Sequence, residues 1–149
     1  MARQPAVPRP AEPAGPDGFQ GERHGRTSMN DTGFDAVTTF FERCAVDDVE
    51  GAVACFTLDG LWIMPNGPEP GTTYRREQMT DHLNGLIELR KKLEVQGMHL
   101  EFDEPMRAGD RVVVESRLLD AADKVVDRGV DVFTLKDGLI AVKDVYRKA

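Results

Sequence analysis

The sequence predicts an α+β domain in which three helices precede a mostly antiparallel sheet. Apolar residues recur at helical spacing between positions 31 and 56 and again between 75 and 95. From position 98 the pattern turns to strand-like runs, and tight-turn signals at Asp120–Asp123 and Lys136-Asp137-Gly138 separate them. Helices followed by strands, without βαβ alternation, describe one α+β layer plan, and 149 residues allow about one domain.

Residues 1–29 read as a disordered tail. Pro5, Pro8, Pro10, Pro13 and Pro16 alternate with glycines, and only Val7 and Phe19 could anchor them, so burial cannot repay the ordering entropy. Residues 30–149 form the single domain. Phe34, Val37, Phe41 and Cys44 share one face of a helix over Asp31–Ala45, with Asp31 or Thr32 as cap. Asp47 and Asp48 open a short second helix that places Val49, Ala52, Val53 and Phe56 on one side, and backbone N–H capping accounts for the carboxylates. Asp59-Gly60 turns into a strand, Leu61-Trp62-Ile63-Met64, which Pro65 ends, and a Pro/Gly-rich loop runs to Thr73. The long helix spans about 75–95, with Met79, Leu83, Leu86 or Ile87, Arg90 and Leu93 inward, and Gly97 breaks it. Residues 98–102, 111–119, 125–135 and 139–147 are the strands, with a turn region at 106–110.

Composition excludes several classes. A formal net charge of −7 disfavours nucleic-acid phosphates, and no apolar run approaches the roughly 18 residues of a membrane span. The start of the chain lacks a secretory apolar stretch. Cys44 and Cys55 lie in apolar helical patterns and read as buried free thiols of a cytoplasmic protein. A phosphate-binding glycine loop, a nucleophile elbow and a zinc-spaced His/Cys cluster are all missing, so neither metal nor cofactor is expected.

Four short stretches together resemble the SnoaL-like branch of the nuclear-transport-factor-two-like superfamily. They are the opening helix; Asp47-Asp48-Val49-Glu50 through Cys55-Phe56; Asp59-Gly60-Leu61-Trp62 with its loop into Tyr74-Arg75-Arg76-Glu77; and Asp131–Ile140 followed by Lys143-Asp144-Val145-Tyr146. The resemblance covers roughly residues 30–149. It implies a cone-shaped fold in which a curved sheet wraps around the N-terminal helices and encloses one cavity. The superfamily includes isomerases, dehydratases, cyclases, epoxide hydrolases and binding domains, so the fold does not select among them.

A strand period of two puts Ile140, Val142, Asp144 and Tyr146 on one face and Ala141, Lys143, Val145 and Arg147 on the other. Similarity to the limonene-epoxide-hydrolase group places Asp144 where that group keeps its water-activating aspartate, and turns Asp131 inward beside it with Gly129 and Asp127 in step. Two neighbouring buried carboxylates resist double ionisation, which makes them chemically useful. A two-residue loop at Asp120–Asp123 pairs Ser116 with Asp127 and Val114 with Gly129, leaving Glu115 and Arg117 outside. A slip of one residue would reverse that. The chain departs from the epoxide hydrolases in offering Val114 and Ser116 where they resemble one another in an Arg-x-Asp pair. It departs from the steroid isomerases in placing Met64 where their carbon-proton base stands.

The candidate catalytic residues are therefore Asp144 as base, with Asp131, Tyr146 and His82 as acid–base partners. Trp62, Met64, Val142, Phe133, Ser116 and Tyr74 are the candidate substrate-binding residues, with Tyr74 also a loop anchor. The expected activity is that of a cofactor-independent enzyme on an apolar metabolite, of isomerase, cyclase, dehydratase or epoxide-opening type. The alternative is a non-catalytic ligand-binding or dimerisation domain. The remaining partner expected is a second copy, pairing through an outer sheet face with Val130, Val132, Ala141 and Val145, flanked by Lys143 and Arg128.

Overall fold

A computed structural model describes residues 29–148, with side chains from Phe34 onward. The expected tail lies outside the described residues except for Met29, which opens the first helix. Helix α1 (Met29–Ala45) buries Ala36, Val37 and Phe40. A turn through Asp47, at a φ of 58°, leads to the short helix α2 (Val49–Val53). Only one of the two aspartates is its cap. Asp48 accepts from the Gly51 N–H at 3.0 Å, whereas Asp47 pairs with Arg90 at 2.8 Å and ties this turn to the long helix.

The chain then forms β1 (Phe56–Ile63), β2 (Thr73–Arg75), a 3-10 turn (Arg76–Gln78) and helix α3 (Met79–Val95). Strands β3 (His99–Phe102), β4 (Met106–Ala108), β5 (Arg111–Leu119), β6 (Val125–Lys136) and β7 (Leu139–Arg147) complete it. The strand order is β2-β1-β7-β6-β5-β3, with β4 added against β5. Every pairing is antiparallel except β1 with β7, so the architecture is the α+β plan expected, as a curved, unclosed sheet.

Two local expectations give way. Asp59-Gly60 is not a turn: β1 runs straight through it with a bulge between Phe56 and Leu61, and Phe56 is a strand residue rather than the end of α2. Residues 106–108, read as turn, form the edge strand β4. At the β6–β7 hairpin the sequence signal is accurate. Asp137 and Gly138 take φ values of 51° and 79°, the left-handed pair a two-residue hairpin requires, and Lys136 pairs directly with Leu139.

Sheet register decides everything about the site. On β6 and β7, Leu135 pairs with Ile140 but Thr134 pairs with Val142, so Ala141 is an extra residue and β7 is bulged there. An inserted residue reverses the alternation beyond it. Ile140 and, three positions later, Lys143 are both buried, while Val142 and Asp144 turn to the outer face. On β5, Ser116 pairs with Gly129 and Val114 with Asp131, two residues from the expected register. A shift of two preserves the faces, so Val114, Ser116 and Leu118 still point inward and Glu115 and Arg117 outward. Arg117 is held there by Asp103 at 2.8 Å.

The core sits between the inner face and helices α1 and α3. Phe40 packs edge-on against Phe56, Trp62 and Phe133, and Met79, Leu83 and Ile87 close it from α3. The outer face keeps Val130 and Val132 as expected. Val145 has turned inward to pack on the core, and Lys143 is buried, so neither belongs to the outer surface. Among the described residues no helix is long and apolar enough to cross a membrane.

Candidate functional site

The bulge at Ala141 delivers Lys143 to the inner face directly opposite Phe133, and Asp131 stands two residues along the same strand. Lys143 is 5% exposed, Asp131 6%, and Nζ lies 3.2 Å from Oδ2. Three aromatic rings surround the amine, with centroids at 4.4 Å (Trp62), 5.6 Å (Phe133) and 5.8 Å (Phe40). Cation–π attraction offsets part of the ammonium's lost hydration. Stability does not explain the pair, because hydrophobic residues of similar size at such positions are often as stable or more so.

Helix α3 contributes the third polar group. His82 stacks on Tyr74 at 3.8 Å with planes 12° apart, and meets Trp62 edge to face at 4.7 Å. Burial pushes its imidazole pKa down from 6.5 to about 4, and the nearby positive charge of Lys143 adds to the effect. His82 is therefore neutral at pH 7. Below pH 6.5 the unfolded chain takes up a proton that the folded chain refuses until about pH 4, so stability contributed by this group is lost across that window. A His82→Phe variant should show a flatter decline in urea midpoint between those pH values, and an NMR titration of the His82 ring should find no protonation at pH 5.5.

Nε2 of His82 and Nε1 of Trp62 are both buried with no hydrogen-bond partner among the described residues. Outside them, Tyr74, Glu77, Gln78, Asp81, His82, Gly85 and Leu86 line an open groove of about 510 Å³. His82 thus lines the groove and also touches the buried indole. Cys44, partly buried, has its thiol pKa raised to about 11 by burial, with Lys143 opposing the rise, and it stays protonated at neutral pH. Burial also raises the thiol of Cys55. Among the described residues no group of three His, Cys, Asp or Glu is placed to hold a metal ion.

The expected site is partly rearranged. Asp144 is not beside Asp131: it lies on the outer face, paired with Val132, and accepts a hydrogen bond from the Tyr146 hydroxyl at 3.0 Å. Tyr146 is exposed, and the Asp144 carboxylate raises its phenol pKa. Val142 faces outward with them, so all three leave the interior, for the single reason that Ala141 is bulged. Asp131, Phe133, Trp62 and Ser116 do face inward; Met64 packs partly buried against the core, and Tyr74 forms the stack with His82. The residue overlooked is Lys143, assigned to the outside by strict alternation. Its sequence signal was a lone lysine in Leu139-Ile140-Ala141-Val142-Lys143, with an aspartate, Asp131, on the neighbouring strand.

With the inner-face geometry in place, comparison with known proteins identifies the fold family. The SnoaL-like domain family matches residues 37–143. The chain belongs to the SnoaL-like family. Among solved structures, an NTF2-like protein of unknown function from Mesorhizobium loti superposes with a TM-score of 0.63 at 17% identity, covering 83% of this chain and 97% of its own. TerC co-crystallized with polyporic acid gives 0.58 at 21% identity, covering 81% and 92%. A candidate polyketide cyclase from Xanthomonas campestris pv. campestris gives 0.57 at 18% identity, covering 80% and 92%. Such low identities speak for the cone-shaped NTF2-like fold alone. No curated protein matches the sequence.

Proposed function

We propose that this SnoaL-like chain is a cofactor-independent enzyme that performs acid–base chemistry on an apolar metabolite, with Lys143 and Asp131 as its charged centre and His82 as the neutral base beside them. The observation that carries the reading is the Lys143–Asp131 pair, sealed at 3.2 Å under Trp62, Phe40 and Phe133. Fixed charges in a water-poor site act strongly on charge developing in a substrate. Apolar rings around one amine and one carboxylate suit a ligand with few polar groups. Polyketide-type metabolites fit that description, and a candidate polyketide cyclase and TerC with polyporic acid share the fold.

Deuterium exchange at the α-carbon of 2-tetralone in heavy water, followed by mass spectrometry, tests the reading. The protein should accelerate exchange, and the charge-free double variant Asp131→Val/Lys143→Met should lose on the order of 10²-fold of that acceleration. Asp144→Asn, altered only on the outer face, should exchange at the wild-type rate. Equal rates for wild type and the double variant would overturn the reading. The aromatic filling of the interior by Phe40, Phe56 and Phe133 favours a second reading, ligand binding without turnover. It would show as quenching of Trp62 emission by 2-tetralone without exchange. Pairing of two copies through the outer face, with Val130, Val132 and Tyr146, is part of the same proposal.

A further inference from the structure

Asparagine followed by glycine occurs twice in the sequence, as Asn66-Gly67 and Asn84-Gly85, and the fold treats the two pairs oppositely. In such a pair the glycine nitrogen can attack the asparagine side-chain carbonyl, because no side chain on the second residue obstructs the approach. The attack needs a nitrogen free of hydrogen bonds and a backbone able to rotate it over the side chain. Asn84 and Gly85 are exposed, yet they sit in the middle of α3. The helical ladder commits the Gly85 N–H to the Asp81 carbonyl and holds the Asn84 ψ in the helical well, away from ring closure.

Asn66-Gly67 lies in the connection between β1 and β2. Both residues are exposed, and the Gly67 N–H has no hydrogen-bond partner among the described residues. The loop is held around this peptide rather than at it. The Met64 N–H donates to the Thr72 carbonyl at 2.8 Å and the Thr72 N–H to the Asn66 carbonyl at 2.7 Å. The Asn66 side-chain amide donates to Thr72 Oγ1 at a long 3.3 Å. The fold also requires the glycine: Gly67 has a φ of 93°, and a Cβ there would stand 2.4 Å from Thr72 Oγ1.

We propose that Asn66-Gly67 is a self-modification site, at which the chain converts its own side-chain amide to a carboxylate. The Gly67 nitrogen gives up its proton and bonds to Cγ of Asn66, the Cγ–Nδ2 bond breaks, and Nδ2 leaves as ammonia. Water then opens the five-membered imide at either carbonyl, giving aspartate or isoaspartate. One water is consumed and one ammonia released, and nothing is oxidised or reduced. The product adds a negative charge to a loop that already carries Glu69, and it ends the amide's donation to Thr72. In the isoaspartate form one methylene also enters the backbone upstream of Tyr74, whose ring stacks on His82. The site is independent of the acid–base chemistry proposed for the interior.

The test keeps the full chain at pH 7.4 and 37 °C for several weeks, both folded and in guanidinium chloride, and follows the two asparagines by peptide mapping and mass spectrometry. In the folded chain Asn66 should convert at least about tenfold faster than Asn84, with isoaspartate among the products. In guanidinium chloride, where the helix is gone, the two should convert at similar rates. Asn66→Gln, which would have to close a six-membered ring, should leave the loop peptide unmodified over the same period. Retention of the Asn66 amide in the folded chain would overturn the proposal, and so would conversion of Asn84 at an equal rate in the folded chain.

Discussion

Replacing Asp131 with Asn is expected to lower the unfolding free energy by about 3–5 kcal/mol, because it strands the Lys143 ammonium in an apolar site without its counter-charge. The pair is 5% and 6% exposed, so water cannot take over the role of the carboxylate. Removing both charges is a different experiment. Asp131→Val combined with Lys143→Met replaces the pair by hydrocarbon on the same strands, and should return stability to within about 1 kcal/mol of wild type or raise it. Urea denaturation of the two single variants and the double variant measures the coupling. A cost below about 1 kcal/mol for Asp131→Asn would mean that the pair behaves like an exposed ion pair, and the interior electrostatics proposed for the site would fail with it.

Phe40→Ala should cost about 3–5 kcal/mol by transfer loss and the cavity left behind. Phe40 is 2% exposed and touches Phe41 at 5.3 Å, Phe56 and Trp62 at 5.6 Å, and Phe133 at 6.2 Å, so no single neighbour can collapse into its place. The same truncation opens one wall around the Lys143 amine, whose Nζ sits 5.8 Å from this ring. The fluorescence of Trp62, the chain's one tryptophan, should therefore shift to the red as water reaches it. An unchanged emission maximum, with stability within about 1 kcal/mol of wild type, would show that the aromatic cluster is not the closed packing described.

The elements were legible where local chemistry is strong. Asp137-Gly138 fixed a hairpin because few residues tolerate two successive left-handed conformations, and the apolar stripe of α3 found Met79, Leu83 and Ile87. His82 could be placed near the interior from the same stripe. Asp131 faces inward as the resemblance implied, and no irregularity intervenes between it and Phe133 on β6. Asp144, Tyr146 and Val142 were misplaced together, since a bulge is a property of two paired strands and leaves no composition mark in one of them. Nothing in Ile140-Ala141-Val142 announces that Ala141 lacks a partner. The shift of two between β5 and β6 combines one residue from a longer connection, since Leu119 pairs with Val125, with one from an irregularity between Leu118 and Leu119, and it did no harm because even shifts conserve facing.

Ala141 has a consequence for how this scaffold can change. A chain shorter by that one residue would pair Val142 with Thr134 and Lys143 with Phe133 as now, with strict alternation restored on β7 and the ammonium still on the inner face. The electrical polarity of the interior is thus set by register: the same residues paired without the bulge would bring Asp144 opposite Asp131 and send Lys143 outward, exchanging a cationic floor for an anionic one.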